Sequence, residues 1–400
     1  MKNKITIKTI VFLLGILSST TLSSQNIIPD VSARVDTSNI EINKVLHLIK
    51  DYLNSRPDSV YINPYWNAAE PQKYFIDGAQ QYDRSANQLF YDEMTANAFF
   101  SKYRPKILQI DKIEDNRYQI KTIYSLINEL ESNKSYSPLG ITKLYAVKDQ
   151  EGNFKLENAI GYDIRNWKSY QYQMITYKVH PLLKFNKKRA SEAMNFCRDV
   201  MKKLNIRNLE PIMYYVTPNS DEMWKLFNFE YMLYYTTGMA NSLTREIFTS
   251  FGTENFLHEL AHLIIPNPDN DSKKNNVIIT EGLVTWLAGP LYNSSFSNNL
   301  AKVSDKFNSG IHPTLADIIT YKYRNMYDSN ILYVTGGVIC KLAYEQSGTE
   351  GVFELYNCPD GFEKLKQALE KVFKMQYPEI EKMVISYIAD YKETLYIKPW

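Results

Sequence analysis

The sequence has few cysteines, which excludes a fold held together by disulfides. Its 400 residues include three, Cys197, Cys340 and Cys358. An odd count permits at most one bridge, and Cys340 and Cys358 are the only pair close in sequence. Cys340 also falls within an apolar helical run, so buried free thiols are an equally good expectation.

The sequence also lacks a strong net charge and, beyond its start, a long apolar run. There are 46 basic and 44 acidic residues, giving a formal charge of +2, and no basic stripe. We therefore expect no nucleic-acid partner. No run after residue 24 is long and apolar enough to span a bilayer, so we expect no membrane span. The oligomeric state is left open by the sequence.

The first residues have the pattern of a secretory signal peptide. Three lysines precede the apolar run Ile10–Leu17, and small polar residues follow as far as Ser24. The apolar part is too short for a spanning helix, and no cysteine is available for lipid attachment. We predict that residues 1–24 are removed near Ser24 and that the mature chain is periplasmic or extracellular.

The remaining length suits about two domains, and its patterns predict an α+β fold. Residues 25–186 begin with an amphipathic helix at Ile40–Ile49 and continue with strand-like runs, which predicts an α+β roll of unknown role. Those runs are residues 106–110, 118–124, 142–147, 159–164 and 171–179. Residues 187–400 have a second pattern, with a helix and a small sheet first and a helical half at the end.

The stretch Phe256–Ile265 is an apolar helix that carries two of only five histidines in the chain. At 3.6 residues per turn, His258 and His262 lie on one face and can converge on a single cation. Glu259 lies about 100° round the helix, beside the ligands. This H-E-x-x-H pattern places two metal ligands and a general base together. A solvated face or a satisfied core is the alternative, but the helix is apolar almost all round.

The helix has plausible boundaries, and a third ligand lies in the next apolar run. Thr253 is a candidate N-cap, and Pro266 cannot continue the helix. Val277–Ala288 reads as a buried helix that ends at Gly289, and its one acidic residue is Glu281. A carboxylate inside such a run costs several kcal/mol unless it is paired or bound to a metal.

These residues resemble the gluzincin (peptidase MA-like) metallopeptidases, which include thermolysin and aminopeptidase N. The resemblance consists of HELAH, eighteen intervening residues and then Glu281 in Thr-Glu-Gly-Leu, and the gap is more similar to the aminopeptidase branch. It implies one Zn²⁺ per chain, held by His258, His262 and Glu281, with Glu259 as general base. Thermolysin-like enzymes carry an aspartate four residues after the glutamate ligand, where this chain has Thr285. The groups that orient the histidines are therefore left open.

Two further segments resemble parts of the aminopeptidase site. Gly238-Met239-Ala240-Asn241 is similar to Gly-x-Met-Glu-Asn, a substrate-binding segment whose glutamate holds the substrate's amino terminus. This chain has no glutamate there, which predicts cleavage of internal bonds. An ordinary buried strand is the alternative.

Tyr333 begins a Tyr-x-x-Gly segment that resembles one in aminopeptidase-type gluzincins, in which the tyrosine faces the zinc. The resemblance implies that Tyr333 stabilises the oxyanion. The alternative is a tyrosine that only packs within its helix. His312 is another candidate for the cleft, whereas His47 and His180 are expected to be structural or exposed.

The sequence thus predicts an exported zinc endopeptidase acting on peptides or proteins. One alternative is a zinc hydrolase of another amide, such as a cell-wall peptide crosslink. Another is a non-catalytic binding protein on a peptidase scaffold, with the N-terminal domain as its recognition surface. The intact ligand set and Glu259 weigh against the second alternative.

Overall fold

A computed structural model describes residues 27–90, 95–128, 135–266, 275–290, 294–310, 313–320 and 329–391. The predicted signal peptide and His312 lie outside these residues. Helices and strands occur together, which confirms the α+β class. No helix in these ranges is both long and apolar enough to cross a membrane.

The strands form two larger sheets and one small hairpin. They are β1 (Asp30–Val31), β2 (Phe75–Ile76), β3 (Ala79–Gln80), β4 (Tyr103–Glu114), β5 (Arg117–Asn128), β6 (Ser135–Lys148), β7 (Phe154–Asn158), β8 (Lys168–Tyr172), β9 (Ile175–Val179), β10 (Ile212–Val216), β11 (Phe229–Met232), β12 (Gly238–Asn241) and β13 (Glu246–Thr249).

The helices are concentrated before the first large sheet and after the second. They are α1 (Ile40–Leu53), α2 (Ala69–Tyr74), α3 (Arg84–Leu89), α4 (Ala96–Lys102), α5 (Ala159–Asp163), α6 (Lys187–Lys203), α7 (Ser220–Lys225), α8 (Leu257–Ile264), α9 (Val277–Ala288), α10 (Phe296–Asn308), α11 (Leu315–Ile319), α12 (Ser329–Tyr356, with a break at Gly348), α13 (Phe362–Phe373) and α14 (Tyr377–Ala389).

The first large sheet has the order β1-β4-β5-β6-β11, and β7 also pairs with β6. β1 is parallel to β4, and the other pairs are antiparallel. Alternate residues of β5, such as Tyr118, Ile120 and Tyr124, are buried in the core to which α1 contributes Val45 and Ile49. This period of two is the pattern that a half-buried strand requires.

The second sheet has the order β12-β13-β10-β9-β8, so β12 lies at its edge. β10 is parallel to both β9 and β13, and β12 is antiparallel to β13. Tyr214 and Ile247 belong to the core that contains α8 and α9. Their neighbours Tyr215 and Phe248 belong to the core of the first sheet, and their rings stack at 4.9 Å. The second sheet therefore lies between the two cores.

The predicted domain boundary at residue 187 does not separate the strands of the two sheets. β8 and β9 precede this residue and belong to the second sheet, whereas β11 follows it and pairs with β6 of the first. The division of the chain into domains at 25–186 and 187–400 stays a prediction.

One strand assignment from the sequence is wrong, and another covers parts of two strands. The run at residues 159–164 is the helix α5, and the strand there is β7, whose buried residues alternate with partly buried ones. Ala159 leaves the strand because its N–H donates to Asn228 Oδ1 at 2.8 Å. The run at residues 171–179 contains the end of β8 and all of β9, and the chain turns between them at Gln173, which has a left-handed φ of 53°.

Candidate metal centre

The helix α8 begins later than its sequence suggests. Thr253 is not the N-cap, because its hydroxyl is hydrogen-bonded to the side chain of Asn255. Phe256 occupies the cap position without a side-chain bond, and its N–H donates to the Tyr214 hydroxyl at 3.0 Å. That bond to the buried strand β10 fixes where the helix starts, so His258 lies in its first turn and His262 in its last.

Three side chains converge between α8 and α9, as the sequence predicts. His258 Nε2 lies 3.3 Å from Glu281 Oε2, and His262 Nε2 lies 3.6 Å from the same oxygen. One ligand atom from each of the three residues lies within 4.8 Å of the others. No further group of three or more such side chains occurs in the described ranges.

The spacing of these atoms fits a zinc ion. Ligands about 2.0–2.1 Å from a tetrahedral zinc lie about 3.4 Å from one another. The two measured nitrogen-to-oxygen distances bracket that value. Glu281 Oε2 is buried and has no hydrogen-bond partner among the described residues, which is costly for a carboxylate oxygen unless a cation satisfies it. Two imidazoles and one carboxylate are also a ligand set that zinc accepts.

Glycines at the crossing of α9 and α12 set the position of Glu281. A Cβ atom on Gly282 would lie 2.3 Å from the carbonyl carbon of Gly336, and one on Gly336 would lie 1.9 Å from the carbonyl oxygen of Ile278. Only glycine at both positions allows the two backbones to approach so closely. The same contact brings Tyr333, one turn before Gly336, toward the ligands.

The carbonyl group of Gly289 orients one of the histidines. It lies 2.9 Å from His258 Nδ1, at the end of α9. A donor role for Nδ1 leaves Nε2 as the nitrogen with a free lone pair toward Glu281. Thr285 does not orient a histidine, because its hydroxyl is buried and has no hydrogen-bond partner in the described residues. Sequence reasoning missed Gly289 because any residue supplies a carbonyl oxygen.

Opposite charges in the cluster shift the pKa values of its members. Burial by itself lowers the pKa of His258, but the carboxylates of Glu281 and Glu259 outweigh it and raise the pKa to about 9. Burial raises the pKa of Glu281, but His262 and His258 hold it well below its usual range. Glu281 is therefore ionised, as a metal ligand must be, whereas a metal that binds His258 Nε2 must displace a proton from that ring.

Glu259 is buried beside the ligands and contacts the edge strand. Burial raises its pKa, although His258 and His262 act in the opposite direction. The nearby backbone N–H of Ala240 in β12 also acts to lower this pKa. A raised pKa makes a carboxylate a stronger base, as a general base requires.

Tyr333 and the segment from Gly238 to Asn241, which were predicted from weaker resemblances, also lie at this site. The Tyr333 ring lies nearly parallel to that of His258, with 6.3 Å between centroids and 23° between planes. Gly238 to Asn241 form β12, whose outer edge pairs with no strand among the described residues. Gly238 packs against Phe256, where a Cβ would come within 2.6 Å of the ring.

The other histidines in the structure lie outside the cluster, as predicted. His47 is exposed on α1, and His180 Nε2 lies 3.4 Å from Glu222 Oε2. The three cysteines are buried free thiols. No protein-family model matches the chain, and no curated protein matches it at a significant level.

Proposed function

We propose that this chain is a zinc-dependent peptidase of the gluzincin type that is exported and cleaves internal peptide bonds. The observation that carries the proposal is the convergence of His258, His262 and Glu281 beside a buried Glu259. The Ala240 N–H, in the edge strand β12, lies near enough to that glutamate to lower its pKa. A metal site, a general base and an edge for an extended chain are the three parts that peptide hydrolysis needs.

His258, His262 and Glu281 would hold the ion. A zinc ion there supplies an acidified water as nucleophile and a positive charge for the carbonyl oxygen. Glu259 takes the proton of the attacking water and passes it to the leaving amine. Its buried position keeps competing water away from this transfer.

The edge strand and Tyr333 would position the substrate. A peptide that pairs with β12 satisfies its backbone groups as an added strand does. Ala240 of this edge lies near Glu259, so a peptide paired with β12 would lie next to the base. The Tyr333 hydroxyl donates to the oxyanion as its charge develops.

The absence of an acidic residue from β12 supports cleavage of internal bonds. Its four residues are glycine, methionine, alanine and asparagine. None carries a negative charge that would form an ion pair with the free amine of a substrate. Acetylating the amino terminus of a peptide should therefore change the rate little.

Digestion of a peptide library tests the proposal. Acetylated and free-amine peptides are incubated with zinc-loaded protein and analysed by mass spectrometry, with Glu259→Gln at equal zinc content as the control. We expect internal cleavage by the parent and a loss of several orders of magnitude in the variant, since an amide is a poor base. Equal turnover by the two proteins contradicts the mechanism, and stepwise loss of amino-terminal residues contradicts the internal specificity.

A further inference from the structure

The N-terminal region contacts the end of the edge strand β12. Asn241, the last residue of β12, donates from Nδ2 to Gln81 Oε1 at 2.8 Å. Arg84, three residues after Gln81, donates from Nη2 to both carboxylate oxygens of Glu246 at 2.8 Å. Glu246 is the residue of β13 that lies opposite Asn241. Both side chains of this ion pair are buried, so the segment that carries Gln81 is firmly fixed to the second sheet.

Hydrogen bonds determine which way the Gln81 amide points. The Thr244 N–H donates to Asn241 Oδ1 at 3.1 Å, and a backbone N–H can only donate. Asn241 Nδ2 therefore faces Gln81, which must turn its Oε1 toward Asn241. The Nε2 group of Gln81 points away from this contact and makes no hydrogen bond among the described residues.

Gln81 contacts the last residue of the edge strand, on the face of the sheet opposite to the general base. Ala240, which contacts Glu259, packs against the core of α8, whereas Met239 packs against the core of the first sheet. Because successive strand residues face opposite sides, Asn241 shares the side of Met239. One strand residue advances about 3.3 Å, so Asn241, the contact of Gln81, lies about that far along the edge from Ala240.

We propose that Gln81 is a substrate-binding residue whose Nε2 donates to a backbone carbonyl oxygen of the peptide on β12, with Asn241 as the positioning residue. This inference rests on the proposed function and extends it, since it makes the N-terminal region one wall of the cleft. An amide donor at this place selects a carbonyl oxygen and disfavours a free ammonium group.

Two substitutions separate binding from positioning. Gln81→Ala removes the donor, so we expect KM for acetylated peptides to rise roughly three- to tenfold with kcat unchanged, the effect of one lost hydrogen bond. Asn241→Asp keeps the acceptor for the Thr244 N–H but replaces the donor with an oxygen. Gln81 must then turn its Nε2 inward and its Oε1 toward the peptide, so KM should rise by a similar factor although Gln81 is intact.

The Asn241→Asp variant also gives a readout that a structural role would not produce. Gln81 Oε1, now turned toward the peptide, and the new negative charge at position 241 both favour a substrate amine. The ratio of kcat/KM for free-amine over acetylated peptides should therefore increase. Gln72→Ala, at an exposed glutamine on α2, is the matched control and should leave both constants unchanged.

Binding to zinc-loaded Glu259→Gln, measured with the same acetylated peptides, separates this inference from the proposed function. Binding that weakens on adding Gln81→Ala, without any cleavage by the parent, supports the role of Gln81 and refutes the peptidase. Cleavage with an unchanged KM in Gln81→Ala refutes the role of Gln81 and leaves the peptidase intact. Peptides that are neither bound nor cleaved overturn both.

Discussion

Replacing Gly336 by alanine should loosen the metal site from a distance. The new Cβ would lie 1.9 Å from the Ile278 carbonyl oxygen and 2.9 Å from Gly282 Cα, and both neighbours are helix backbone that cannot rotate away. The helices α9 and α12 must therefore separate by about 1 Å, a kind of overpacking that costs about 1–3 kcal/mol. The helix preference of alanine over glycine, about 1 kcal/mol, offsets part of this cost.

The separation should also move Glu281, which precedes Gly282. A metal site tolerates about 0.2 Å in its ligand distances, so a shift of this size should weaken zinc binding by about 10- to 100-fold. Competition with a chromophoric chelator measures the affinity, and thermal unfolding measures the stability. Gly161→Ala is the control, because Gly161 is exposed on α5 with a single contact at 3.8 Å and should gain about 0.4–1 kcal/mol. Parental zinc affinity and stability in Gly336→Ala would refute the role of this crossing.

Two further predictions concern Tyr333 and Asp83. Tyr333→Phe should lower kcat about 10²–10³-fold with KM, zinc content and Tm nearly unchanged, because the hydroxyl acts on the transition state. A loss of stability with normal kcat would show that Tyr333 only packs against its neighbours. Burial raises the pKa of Asp83 to about 6 from 3.8, so between these values the folded state binds a proton that the unfolded state lacks. Stability therefore falls by ~3 kcal/mol as the pH rises from about 4 to about 6. Urea unfolding of metal-free protein should show this fall, and Asp83→Asn should flatten it; equal slopes in both proteins contradict the assignment.

The sequence predicts the elements that local signals define. The bounds of α9 agree with the sequence because an apolar run of helical length meets Gly289 and Pro290, which end it. Helical spacing alone predicts that His258 and His262 share a face, since they are one turn apart, and Glu281 is predicted because it is the one carboxylate in an apolar run. The run at residues 159–164 was assigned wrongly because its apolar residues suit either element, and the deciding bond to Asn228 comes from 69 residues away.

The groups that complete the candidate site are those that leave no local signal. Gly289 acts through its carbonyl oxygen, which every residue has. Gln81 reaches β12 across 160 residues of sequence, and its orientation depends on two other amides. Such long-range polar contacts depend on the packing of the two cores around the second sheet, which periodicity does not encode.

The zinc content of the purified chain tests the central claim most directly. Mass spectrometry of the metal in parent protein and in His258→Ala, His262→Ala and Glu281→Ala, after equal exposure to zinc and removal of excess, gives the stoichiometry. We predict one zinc per parent chain and close to none in each variant, because two remaining ligands hold the ion weakly. A parent chain without zinc, or a Glu281→Ala variant that binds zinc as tightly as the parent, would contradict the account.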